Sequence, residues 1–206
     1  VQSLYPSIAI EYNHYPAHLG SAFVDVYRRL RTQRVSYAKG TAENAMLKLA
    51  LNGVYGASGD AYSVFYDSLF TMKITIHGQL LIAMLVDRLV DVSGLKVIQA
   101  NTDGITMYLP RAMLTQVQTI CDEWASWTRL KLEYAEYSKM FISDVNNYLA
   151  VYTDGAETKR KGKYEHETEW HQNASMLVVP KVAEKCLVEG LPIRETVMNW
   201  PDKMDF

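Results

Sequence analysis

A chain of 206 residues with 49% hydrophobic content can bury a real core, and its two cysteines, Cys121 and Cys186, are too few and too far apart for a disulfide framework or a metal knuckle. The formal net charge of -2 neither demands nor excludes a nucleic-acid partner, because the basic residues are clustered: Arg28, Arg29, Arg31, Arg34, Lys39 and Lys48 stand against the single acid Glu43, and Lys159, Arg160, Lys161 and Lys163 form a second run. The longest apolar run, Leu80 to Val86, is far short of a membrane span and no charged-then-apolar leader opens the chain, which predicts a soluble, cytoplasmic protein with no membrane partner.

In chain order, residues 3–10 combine β-formers with Pro6 and read as a strand that ends in a bend. Residues 14–18 read as a loop. From Ser21 to about Tyr37, Phe23, Val24, Tyr27 and Leu30 recur at helical intervals, leaving the arginines on the other face. Thr41 is an N-cap candidate for a second helix to about Val54. Leu47, Ala50, Leu51 and Val54 form its packing stripe, while Lys48, Asn52 and Tyr55 recur about 100° away. The two helices form a hairpin that offers donors to a shared target, and a polyphosphate suits it. Gly53, Gly56 and Gly59 close a helix rather than open one after a strand, so they do not make a dinucleotide fingerprint.

Residues 60–67 are an aromatic-rich loop, and Phe70 to Val92 form a long core helix with the apolar face Ile74, Ile76, Leu80, Leu81, Met84, Leu85 and Leu89, in which His77 reads as a structural histidine. Val97-Ile98 and Ile105 to Leu109 flank the polar tip Asn101-Thr102-Asp103-Gly104, a β-hairpin signal that fixes the Asp103 carboxylate at a turn. Alone, Asp-Gly is ordinary turn chemistry. Residues 111–127 then form an amphipathic helix. Leu130 to Tyr137, Met140 to Ser143 and Tyr148 to Thr153 alternate like strands, and Asp154-Gly155 turns into an extended piece carrying Lys159 to Tyr164. Residues 173–190 and 192–200 return to a helical pattern. The order predicts an α+β domain, an antiparallel sheet with helices on one face.

Three runs give the tip a chemical meaning: Ser3-Leu4-Tyr5-Pro6-Ser7-Ile8, then Lys48 through Asn52-Gly53-Val54-Tyr55-Gly56, then Asn101-Thr102-Asp103-Gly104. Together they resemble the polymerase motifs of the family B DNA polymerases, and the Asn-Thr-Asp-Gly form resembles that of compact bacteriophage members. The resemblance implies a palm at 1–16 (first strand) and 57–172, a two-helix fingers insertion at 17–56, and the start of a helical thumb at 173–206. It implies a DNA-directed DNA polymerase that binds primer-template DNA and dNTPs, with two Mg²⁺ ions roughly 3.5 to 4 Å apart serving nucleotidyl transfer.

By the same resemblance Asp103 is the catalytic, metal-bridging carboxylate, and the Val1 carbonyl is a backbone ligand. Ser3 and Leu4 bring backbone N–H groups to the triphosphate. Tyr5 lies under the sugar and excludes a ribose 2′-hydroxyl. Lys48 and Asn52 contact the triphosphate, with Arg34 and Lys39 as further nucleotide contacts, and Tyr55 and Gly56 lie against the nascent base pair. Asn147 and Tyr148 stand in the segment that contacts the primer end, where only the tyrosine matches the family's Lys-Lys-Arg-Tyr, and Lys161-Gly162 stands near the primer-template backbone. Glu133 is a candidate auxiliary acid near the site, with a solvated strand residue as the commoner reading. The first-motif aspartate of the family falls one residue before Val1, so this stretch alone is expected to be inert. Two other readings remain open: a nucleic-acid-binding module without chemistry, and an unrelated α+β nucleotide-binding protein.

Overall fold

Residues 3–10 are helical rather than extended: Leu4–Glu11 form helix α1 in the computed structural model, which describes residues 1–154, 157–166 and 175–206. Pro6 lies in the first helical turn, where its missing N–H leaves no hydrogen bond unmade. Leu4, Ile8, Ala9 and Ile10 are all buried. Burial of nearly every face, not β-propensity, decides the conformation, and the expected first strand at 1–16 is corrected to this helix.

The chain forms two compact units, Val1–Glu133 and Tyr134–Phe206. In the first, α1 is followed by α2 (Ala22–Ser36), α3 (Ala42–Ala57), α4 (Ser68–Val90), the hairpin of β1 (Lys96–Ala100) and β2 (Ile105–Tyr108), and α5 (Leu114–Thr128). Thr41 caps α3, accepting from the Asn44 N–H, and Asp67 caps α4, accepting from that of Phe70. Of the expected stripe on α3, Leu47 and Leu51 are buried and Val54 is half-buried, but Ala50 is exposed; the helix also runs on through Gly53 and Gly56. Gly78 lets α1 lie against α4, since a Cβ there would stand 3.3 Å from Ile8 Cδ1 and 3.4 Å from Leu4 Cδ2. The fully buried Trp124 of α5 donates from its indole to the Leu81 carbonyl at 2.9 Å, so the ring fills the core without an unmade bond.

Among the described residues α4 is, by length and composition, the one helix apolar enough to cross a membrane. Phe70, Ile74, Leu81, Leu85 and Leu89 on it are buried in the core, while Met72, Ile76, Leu80 and Met84 are exposed, although Ile76, Leu80 and Met84 were expected inside. His77 is not alone: its Nδ1 lies 3.2 Å from His14 Nε2, and its ring packs 4.1 Å from that of Tyr12.

Residues 129–136 carry no regular structure, although Leu130 and Leu132 alternate with Lys131 and Glu133 as a strand would. Arg129 at φ 59° ends α5 in the left-handed region, and the Lys131 carbonyl accepts from the Gln2 N–H. Instead of one sheet the described residues form two, the β1-β2 ribbon and a three-stranded antiparallel sheet in the second unit with order β3-β4-β5. Its strands are β3 (Tyr137–Asp144), β4 (Asn147–Tyr152) and β5 (Thr158–Lys161). Helices α6 (Val178–Glu189) and α7 (Ile193–Met198) follow, with Val178, Val182 and Cys186 packed against Val197 and Trp200. Arg160 of β5 grips Glu184 of α6 through two bonds of 2.6 and 2.8 Å, and His166 reaches the same carboxylate at 2.9 Å. Burial opposes the charge on Glu184, but these partners hold its carboxyl below the usual value. Gly155 of the expected turn and residue 173, the expected start of the thumb, lie outside the described residues.

Candidate functional site

The three motif runs meet in the first unit. A cavity of about 340 Å³ is lined by Ser3, Leu4 and Tyr5 at the start of α1, Arg34 of α2, Lys48 and Asn52 of α3, and Thr102 and Asp103 at the hairpin tip. Residues up to a hundred positions apart are assembled here by α1 packing on α2, α3 and α4 and by β1 of the hairpin packing on α4.

Each wall has a local cause. Ser3 adopts φ 49° as the residue before α1, which turns the chain sharply into the helix. Its hydroxyl accepts from Arg34 Nη1 at 2.6 Å. Tyr5 stacks on Tyr55, ring centroids 3.8 Å apart and planes 19° from parallel, and the Tyr55 hydroxyl bonds that of Thr75 at 2.7 Å. Burial, then Tyr55, pushes the Tyr5 phenol above its usual value, so this ring is neutral at pH 7. At the tip, the Asn101 N–H donates to the Gly104 carbonyl at 2.9 Å, closing the turn, and the Asp103 N–H donates to Asn101 Oδ1 at 3.2 Å. Asp103 is exposed, and the Val1 nitrogen donates to its carbonyl oxygen.

The electrostatics of the wall are uneven. Arg28 pairs with Asp25 at 2.9 Å, Arg31 approaches Glu11 at 3.9 Å, and Lys39 pairs with Glu133 at 2.8 Å. Arg34 and Lys48, the two cations on the cavity, have no carboxylate within 4.0 Å among the described residues. An anion is the ligand that such a wall stabilises. Lys39 does not line the cavity, and its partner Glu133 is engaged with it rather than standing alone. A Cβ on Gly56 would meet nothing within 4 Å, so none of the described residues accounts for that glycine.

The expected DNA-contacting residues lie in the second unit. Tyr148 is 6% exposed, with Lys159 Nζ 5.6 Å from its ring centroid, so its ring serves the sheet. Asn147 donates to both Asp144 carboxylate oxygens and accepts from the Lys163 N–H at 2.8 Å. Gly162, at φ 59°, is required by its surroundings: a Cβ would lie 2.3 Å from Asn147 Oδ1 and 2.6 Å from the Asn146 carbonyl. Lys161 is exposed, 3.6 Å from Glu165.

Two residues escaped sequence reasoning. Thr102 borders both this cavity and a second, apolar one of about 470 Å³ lined largely by α4, with Ala100 and the hairpin tip completing it. Asn44 is buried beside Arg34, and no sequence pattern singles out one amide in the first turn of a helix.

Two divalent ions require several oxygen ligands. Asp103 is the one carboxylate lining the cavity, and no group of three or more His, Cys, Asp or Glu stands together among the described residues. These residues do not by themselves complete a two-ion site.

The fold these elements define is α+β and polymerase-like, with helices beside small antiparallel sheets. Among the solved structures it resembles is the family B DNA polymerase from the hyperthermophilic archaeon Pyrobaculum calidifontis, with a TM-score of 0.58 and 15% identity over 96% of this chain. The chain spans 30% of that polymerase's length. No family model and no curated protein matches the chain.

Proposed function

We propose that the chain is the nucleotide-binding portion of a DNA-directed DNA polymerase of the family B kind, and that the cavity receives the triphosphate of an incoming dNTP. The observation that carries this is the convergence of Ser3, Tyr5, Arg34, Lys48, Asn52 and Asp103 on one cavity whose cations have no carboxylate partner among the described residues. In this reading Lys48 supplies a compact point charge, Arg34 a planar fork and Asn52 an amide donor to phosphate oxygens. Tyr5, braced by Tyr55, presents a rigid ring edge to the sugar and disfavours a 2′-hydroxyl. Asp103 stands at the tip facing the phosphates, where it would contribute one ligand to Mg²⁺; the remaining ligands of the two-ion arrangement are beyond what the described residues bring to the cavity. The Asn-Thr-Asp-Gly form of the tip keeps the bacteriophage type as part of the proposal, and primer-template DNA as the partner.

A second reading, a nucleic-acid-binding module without chemistry, is favoured by the single cavity carboxylate. Primer extension with Mg²⁺ separates the two. The chain carrying an aspartate immediately before Val1 is compared with the same chain bearing Asp103→Ala. Template-directed extension lost with Asp103→Ala supports the polymerase reading. A folded chain that binds primer-template, metal-independently and with or without Asp103, yet extends nothing supports the module.

A further inference from the structure

The proposed triphosphate site depends on where Arg34 points, and Arg34 is held from two directions. Asn44 is a buried amide in the first turn of α3. Its Nδ2 donates to the carbonyls of Arg34 at 3.2 Å and Tyr37 at 3.0 Å, closing the C-terminal end of α2. Carbonyls only accept, so the amide nitrogen must face them. That leaves Oδ1 turned toward the Arg34 guanidinium, with Nε donating to it at 3.4 Å. On the other side, Nη1 donates to Ser3 Oγ at 2.6 Å. Both acceptors are neutral, so the guanidinium is fixed in place while its charge stays available.

We infer that Asn44 is a positioning residue for phosphate recognition: together with the Ser3 hydroxyl it holds the Arg34 fork at the cavity wall, in register with Lys48. Without these tethers the long arginine side chain must lose rotamer freedom on each binding event. The inference rests on the cavity being a triphosphate site and adds to it a residue that does not line the cavity.

The test is a double-mutant cycle on the 206-residue chain with inorganic tripolyphosphate as probe, read by calorimetric titration. Arg34→Ala, Asn44→Ala and Ser3→Ala are each expected to weaken binding, Arg34→Ala about tenfold or more, as loss of one charge-assisted contact implies. Because Asn44 and Ser3 act through Arg34, adding either substitution to Arg34→Ala should cost nothing further. Ser3→Ala removes only a hydroxyl and leaves α2 and α3 intact, so the proposal stays testable if Asn44→Ala loosens the helical hairpin. Full additivity, or unchanged affinity in Asn44→Ala and Ser3→Ala while Arg34→Ala and Lys48→Ala lose it, overturns the positioning role alone. Unchanged affinity in both Arg34→Ala and Lys48→Ala overturns the triphosphate reading itself.

Discussion

The rings of Tyr5 and Tyr55 stack with centroids 3.8 Å apart, joining the first turn of α1 to the end of α3 across fifty residues of sequence. This contact brings the first and second motif runs into one wall. A double-mutant cycle with Tyr5→Leu and Tyr55→Leu should give a coupling of about 0.5–1.5 kcal/mol in denaturant unfolding, the usual worth of an aromatic pair beyond its buried area. Additive losses would mean that the stack holds nothing together.

Under the proposed function the same ring would bear on sugar selection. Replacing Tyr5 by Val opens space beside the sugar and should narrow the preference for dATP over ATP, measured as the ratio of their dissociation constants. An unchanged ratio would remove Tyr5 from that role.

Lys39 carries a prediction in the opposite sense. Its ion pair with Glu133 is 74% and 48% exposed and stands off the cavity. Lys39→Ala should change stability by less than about 1 kcal/mol and leave dNTP affinity as it was. A loss matching that of Lys48→Ala would restore it to the nucleotide contacts.

Gly162→Ala should destabilise the second unit by about 1–3 kcal/mol, combining a left-handed φ of 59° with a Cβ 2.3 Å from Asn147 Oδ1. Thermal unfolding followed near the tyrosine-rich β3-β4-β5 sheet reads the effect.

Burial, then the charges of His77 and Lys73, holds the His14 imidazole below its usual 6.5, and burial does the same for His77. The unfolded chain therefore binds more protons as pH falls through 6.5. The stability that the neutral pair contributes is full above that pH and is lost on the way down to the depressed folded values. His77→Gln should flatten this dependence in denaturant titrations between pH 7 and pH 5; an equal slope would contradict the linkage.

Legibility followed local signals. The turn residues at Asn101-Thr102-Asp103-Gly104 and the cap at Thr41 act through neighbours in sequence, and both features stand where expected. Helix α1 did not show itself because it is buried on almost every face, which erases the amphipathic period and leaves Pro6 and the β-branched isoleucines as the visible cues. Residues 130–136 alternate like a strand but have no ladder partner, a fact that only tertiary packing decides. Arg34 was legible as a cation near the site, whereas its tethering by Asn44 was not, since a buried amide has no signature until its partners are in place.

The most direct measurement is a titration of dATP into the intact chain beside Lys48→Ala, with circular dichroism confirming that both are folded. Saturable binding weakened about tenfold or more by Lys48→Ala is the predicted result. Absence of binding, or equal affinity in the two proteins, would contradict the assignment of the cavity to a nucleotide triphosphate.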